Sequence, residues 1–192
     1  MKNLFYIFIL FPMFLIGQSS GTSDSQKEEV SLAKEVSLKK GAMNSISANF
    51  NSKVIFAYAN KSEQLIADFY AYLTLYNQSE TVDLQKELDK SIQQMFLSDT
   101  ILVEDFINGT NKKITLSQLL QYCKENKFAI TVNTIQNKAV NATSFDMKYQ
   151  LLVTNKSETK TYNLTQKVYL FPAVKTFGNT QKTVWELKLG EF

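Results

Sequence analysis

Residues 95–120 read MFLSDTILVEDFINGTNKKITLSQLL, and the pattern changes three times within that stretch. Met95 and Phe96 close an upstream run of helical periodicity. TILVEDFI, residues 100–107, is then a run of strand character. NGTNKK interrupts it with a loop, and TLSQ, residues 115–118, has the form of a capping box, in which the Thr115 hydroxyl and the Gln118 amide satisfy backbone N–H groups at a helix start. Leu116, Leu119, Leu120 and Cys123 follow at i, i+3, i+4 and i+7, one face of that helix. A helix therefore ends here, a strand and a loop follow, and another helix begins.

Working outward, Leu65, Phe69, Tyr72, Leu73 and Tyr76 mark the inner face of a first amphipathic helix, and Leu84, Leu88, Ile92, Met95 and Phe96 that of a second. Beyond residue 127 the period changes to two. Phe128, Ile130 and Val132, then Met147, Tyr149, Leu151 and Val153, then Tyr162, Leu164, Val168 and Leu170, and finally Trp185, Leu187 and Leu189 alternate with mostly polar neighbours. Such alternation predicts antiparallel strands with one face in water. Helices first and a meander last make an α+β domain with the helices on the apolar face of the sheet.

The 192 residues, 44% of them hydrophobic, suffice for one well-buried domain with extensions. All 21 basic residues are Lys, against 18 acidic ones, and the chain has no His and no Arg. Without His, zinc sites and conventional catalytic triads lose their usual members, so no metal and no cofactor is expected. Without Arg, and with the lysines scattered, nucleic acid is not an expected partner. Cys123 is the only cysteine, which excludes an internal disulfide, and its helical face makes it a core residue instead of a nucleophile.

Lys2, the apolar run of residues 4–16 and the small polar residues after it predict a secretory signal peptide over residues 1–18. The run falls short of the roughly 20 apolar residues a membrane span needs, and Pro12 interrupts it, so no stable membrane anchor is expected in the mature chain. An exported chain, periplasmic or secreted, is the expectation. Residues 19–52 form a polar extension or tether that carries the near-repeat EVSLAK and EVSLKK, and residues 53–192 form the domain.

The order helix, helix, strand, helix, antiparallel strands resembles the NTF2-like superfamily, which includes ketosteroid isomerases and SnoaL-type cyclases. The opening stretch carries the likeness: a helix end with Phe, an Asp in the turn (Asp99), a strand ending Val-Glu-Asp, a Gly-containing loop and a helix. The resemblance implies a cystatin-like curved antiparallel sheet of four to five strands against about three N-terminal helices. In the isomerases the Asp of that strand is the general base, which falls on Asp105, and a Tyr of the first helix serves the oxyanion hole. Tyr72 is its best match and Tyr70 the alternative. A second Asp of the isomerases, on a later strand, has no counterpart, because no Asp follows Asp146. On the strand, Asp105 shares a face with Ile101, Val103 and Ile107, an apolar setting suited to a base, or else it takes hydrogen bonds from the loop at the strand end. Tyr70, Tyr76, Phe106 and Trp185 are the candidate binding residues. The expected function is a non-catalytic domain that binds a small apolar ligand or a protein partner through its cone or sheet face, with a homodimer possible. The alternatives are a proton-transfer enzyme using Asp105 and Tyr72, and a structural part of a cell-envelope assembly.

Overall fold

In the computed structural model, residues 45–110, 112–155 and 158–192 are described. The expected signal peptide and most of the expected extension lie outside them. Helix α1 (Ile46–Asn49) and helix α2 (Ser52–Gln78) come first. Ser45–Asn51, assigned from the sequence to the extension, are packed onto the domain: Ile46 is fully buried, and its N–H donates to the Ala142 carbonyl at 2.7 Å. No Gly or Pro stands between residues 42 and 108, and α2 accordingly runs about 40 Å without a break, taking in the apolar KVIFAYA segment as its first turns. The Asn51 side chain caps it by accepting from Val54 N–H.

The buried stripe of α2 is Ala59, Ser62, Ile66, Phe69, Tyr70, Leu73, Tyr76 and Asn77. Tyr72, placed by periodicity on the inner face, is instead about a third exposed, and Tyr70 takes the inward position. Helix α3 (Val82–Met95) buries Leu88 and Ile92, with Phe96 behind them, and leaves Leu84 half exposed, against expectation. Its end docks on the sheet through a parallel bridge between Phe96 and Leu189.

Strands β1 (Leu102–Glu104) and β2 (Lys113–Thr115) form a small antiparallel pair, and helix α4 (Leu116–Glu125) follows. The capping box is formed as the sequence predicts: Gln118 N–H donates to Thr115 Oγ1 and Thr115 N–H to Gln118 Oε1. Leu116, Leu119, Leu120 and Cys123 are all buried. Asn77, at the end of α2, donates its amide to the carbonyls of Cys123 and Asn126 at 2.6 and 2.5 Å, which satisfies the open end of α4.

Strands β3 (Phe128–Val140), β4 (Ser144–Asn155), β5 (Glu158–Phe177) and β6 (Thr180–Leu189) form one antiparallel sheet in chain order. The molecule is thus α+β, a four-stranded antiparallel meander with helices against it. The alternation places Phe145, Met147, Tyr149, Leu151 and Val153 of β4 in the core, beside Leu164, Val168 and Leu170 of β5 on the same face of the sheet and against the helical stripe. Register shifts bend β3 around Asn133–Ala139, where Thr134 takes a left-handed φ of 51°. From residue 170 onward β5 pairs only with β6, making a ribbon that closes at Gly178, whose φ of 60° suits the first turn position.

Candidate functional site

The opening stretch builds a loop around one carboxylate. The expected strand over residues 100–107 stops at Glu104 because Asp105 turns the chain, drawing its own loop onto its side chain. Asp105 Oδ1 accepts from Asn108 N–H at 3.1 Å, Oδ2 accepts from the Thr110 hydroxyl at 2.8 Å, and the Asn108 amide spans both oxygens at 3.3 Å. Gly109 follows with φ of 65°, and its N–H donates to the Asp105 carbonyl. Asp105 is 3% exposed. Its carboxylate is a structural acceptor within the loop.

Gly109 also permits a close approach from the sheet: a Cβ there would stand 3.0 Å from the Tyr162 hydroxyl and 3.2 Å from Lys160 Nζ. That hydroxyl is buried and, among the described residues, has no hydrogen-bond partner. Burial, then the nearby Asp105 and Glu104 carboxylates, raise the Tyr162 phenol above its ordinary range. Beside it lies a hollow of about 310 Å³, lined by Phe106, Ile107 and Val153 and rimmed by Asn108, Asn155, Glu158 and Lys160. Because Phe106, Ile107 and Val153 are themselves buried, the wall it presents is mostly polar, amides and one charge of each sign, which suits a small ligand with polar groups.

The sequence-derived candidates are only partly gathered. Tyr70 and Phe106 meet, with ring centroids 5.9 Å apart. Tyr72 instead borders a separate hollow with Leu65, Asp68, Gln94 and Leu187. Tyr76 lies under Lys124, whose Nζ is 5.5 Å from the ring centre, and Trp185 stands edge-on to Phe50 at 4.8 Å. Tyr72 and Asp105 therefore share none of the described hollows.

The polar chain of the interior runs elsewhere. The Tyr70 hydroxyl lies 2.9 Å from that of Tyr149, Tyr149 donates to Gln166 Oε1 at 3.0 Å, and Gln166 Nε2 donates to the Gly190 carbonyl at 3.2 Å. Because Tyr149 gives its proton to Gln166, Tyr70 is the donor to Tyr149. Burial raises both phenols well above their ordinary range. Gln166 was missed by sequence reasoning, although its signal is visible: it is the polar residue at an inward position between Leu164 and Val168. Cys123 is buried and its thiol is pushed up to about 12, which leaves it inert as a nucleophile.

Comparison with protein-family models, with curated proteins and with solved structures finds no match for the chain. The site therefore rests on its own geometry. Among the described residues no three His, Cys, Asp or Glu side chains stand together as a metal would require, and no helix is long and apolar enough to cross a membrane.

Proposed function

We propose that the protein is an exported, non-catalytic NTF2-like domain that binds a small ligand in the hollow beside the Asp105 loop. One observation carries the reading: both carboxylate oxygens of Asp105, the residue that the resemblance matches to the isomerase base, are engaged by Asn108 and Thr110 of its own loop. A general base needs a free oxygen within hydrogen-bond reach of the substrate proton. Tyr72, the intended electrophile, borders another hollow. Support for the NTF2-like part is the element order, a one-turn helix and two longer ones, a short strand pair, a helix and a four-stranded meander. Support for export is the charged, then apolar, then small and polar order of the first residues.

The test is turnover of a β,γ-unsaturated ketone by purified protein, paired with protein-observed NMR against a small-molecule library. No rate above buffer is expected, together with ligands that shift the Asn108 and Val153 resonances. Asp105→Asn is expected to lower thermal stability and to leave the rate at background. Turnover abolished by Asp105→Asn would overturn the proposal.

A further inference from the structure

The wet face of the sheet carries a hollow that regular alternation along its strands does not produce. Strand β3 has an extra residue at each of its two register shifts: Asn133 and Gln136 pair with Gln150 and Lys148, and Asn137 and Ala139 pair with Met147 and Asp146. At the first shift Ile135 packs against the core while Thr134 stays exposed, with a left-handed φ of 51° that a residue branched at Cβ rarely adopts. At the second, the extra residue is Lys138, whose Nζ donates to Gln136 Oε1 at 2.9 Å. The hollow, of about 290 Å³, is lined by Thr134, Gln136 and Lys138 of β3, by Lys148, Tyr149 and Gln150 of β4 and by Asn163 of β5.

Its charge has one sign. Two lysines line it and no acidic residue does. The next carboxylate along this face of β4, Asp146, accepts from the Asn141 amide at 2.9 Å. Among the described residues Lys148 makes no ion pair, and the Gln150 and Asn163 amides make no side-chain hydrogen bond. Two ammoniums beside one hollow repel each other, and an anion between them turns that repulsion into charge-assisted hydrogen bonds. Bulges commonly re-aim side chains at functional sites, and backbone strain of the kind Thr134 carries gathers there.

We propose that this hollow binds a small polyhydroxylated anion, a sugar that bears a phosphate or a carboxylate. Lys138 and Lys148 take the anionic group. The Thr134 hydroxyl and the Gln150 and Asn163 amides, each of them donor and acceptor, take the sugar hydroxyls. The Tyr149 ring is buried on the other face with its hydroxyl committed to Gln166, so the hollow offers no aromatic face on which a nucleobase would stack. The site also lies across the sheet from Val153, which lines the hollow beside Asp105, and it stands whether or not that hollow takes a ligand.

The experiment is a titration of the full chain with glucose 6-phosphate, followed by protein-observed NMR, with glucuronate, glucose and inorganic phosphate in parallel. The two sugar anions are expected to shift the Thr134, Gln150 and Asn163 resonances, and the tighter of them names the anionic group. Glucose and inorganic phosphate, each lacking one part of the contact set, are expected to bind at least about fivefold more weakly than that anion. Lys138→Gln and Lys148→Gln, both surface changes, are each expected to weaken its binding by about two- to fivefold, the range an exposed ion pair allows. Gln150→Ala is expected to weaken the sugar anion and to leave inorganic phosphate unchanged. Glucose binding as tightly as both sugar anions, or lysine variants that bind them as the wild type does, would overturn the anionic class. Inorganic phosphate binding as tightly as glucose 6-phosphate and glucuronate would overturn the sugar. No shift at Thr134, Gln150 and Asn163 with either sugar anion would overturn the site.

Discussion

Two tyrosines separated by a single residue have opposite fates. Tyr70 and Tyr72 lie roughly 200° apart around α2, each on one border of the apolar stripe, Tyr70 four residues after Ile66 and Tyr72 three after Phe69. Periodicity admits both. The Tyr149 hydroxyl decides for Tyr70, because a buried phenol needs a partner and this one is supplied from the sheet. Tyr70→Phe is accordingly expected to destabilise the protein by about 1–2 kcal/mol in urea denaturation, by removing the donor to Tyr149. Tyr72→Phe is expected to stay within about 0.5 kcal/mol of the wild type. Asp105 illustrates the same limit: its type and its place after Val-Glu fit either a base or a turn. Only the positions of Asn108 and Thr110 around it show that the turn has claimed both oxygens.

At the scale of elements, the sequence is most legible where the signal is local. The capping box of α4 is written in four consecutive residues and forms as read. Thr115→Ala is expected to cost about 1 kcal/mol, measured by thermal or urea unfolding, with hydrogen exchange rising first in the opening turn of α4. The four sheet strands are legible for the same reason, since side chains alternate whatever lies beyond them. The strand expected over residues 100–107 is less so. Its apolar run continues through Phe106 and Ile107, both of which are buried, yet they sit in a turn, because burial and extended backbone are separate requirements. The forward limit of the domain was obscured likewise: Ser45–Asn51 are polar enough to read as tether, and two residues, Ile46 and Phe50, anchor them.

Across the whole molecule, a few long-range polar contacts join the elements. Asn77 ties the end of α2 to the end of α4 through two carbonyls, and Lys127 Nζ returns a hydrogen bond to the Asn77 carbonyl at 2.9 Å. Asn77→Leu keeps a similar volume but strands both carbonyls, and is expected to cost about 1–3 kcal/mol, with amide protection lost at both helix ends in hydrogen exchange. Asn77 also heads an Asn-Gln-Ser triplet, the form of an N-glycosylation acceptor, and the same burial keeps its amide out of reach in the folded protein. By itself, the sequence determined the class of the fold, the order of its longer helices and of its four sheet strands, the wet and dry faces of that sheet and the core position of its single cysteine, but not the one-turn α1 or the three-residue β2. These follow from composition and from repeats of 3.6 and 2.0 residues, which neighbours along the chain express unaided. The tertiary structure alone decided which tyrosine faces inward, what Asp105 holds, which partners Gln166 finds and where Phe192 rests. Each of these depends on a partner brought close only by folding, at separations that no local period encodes.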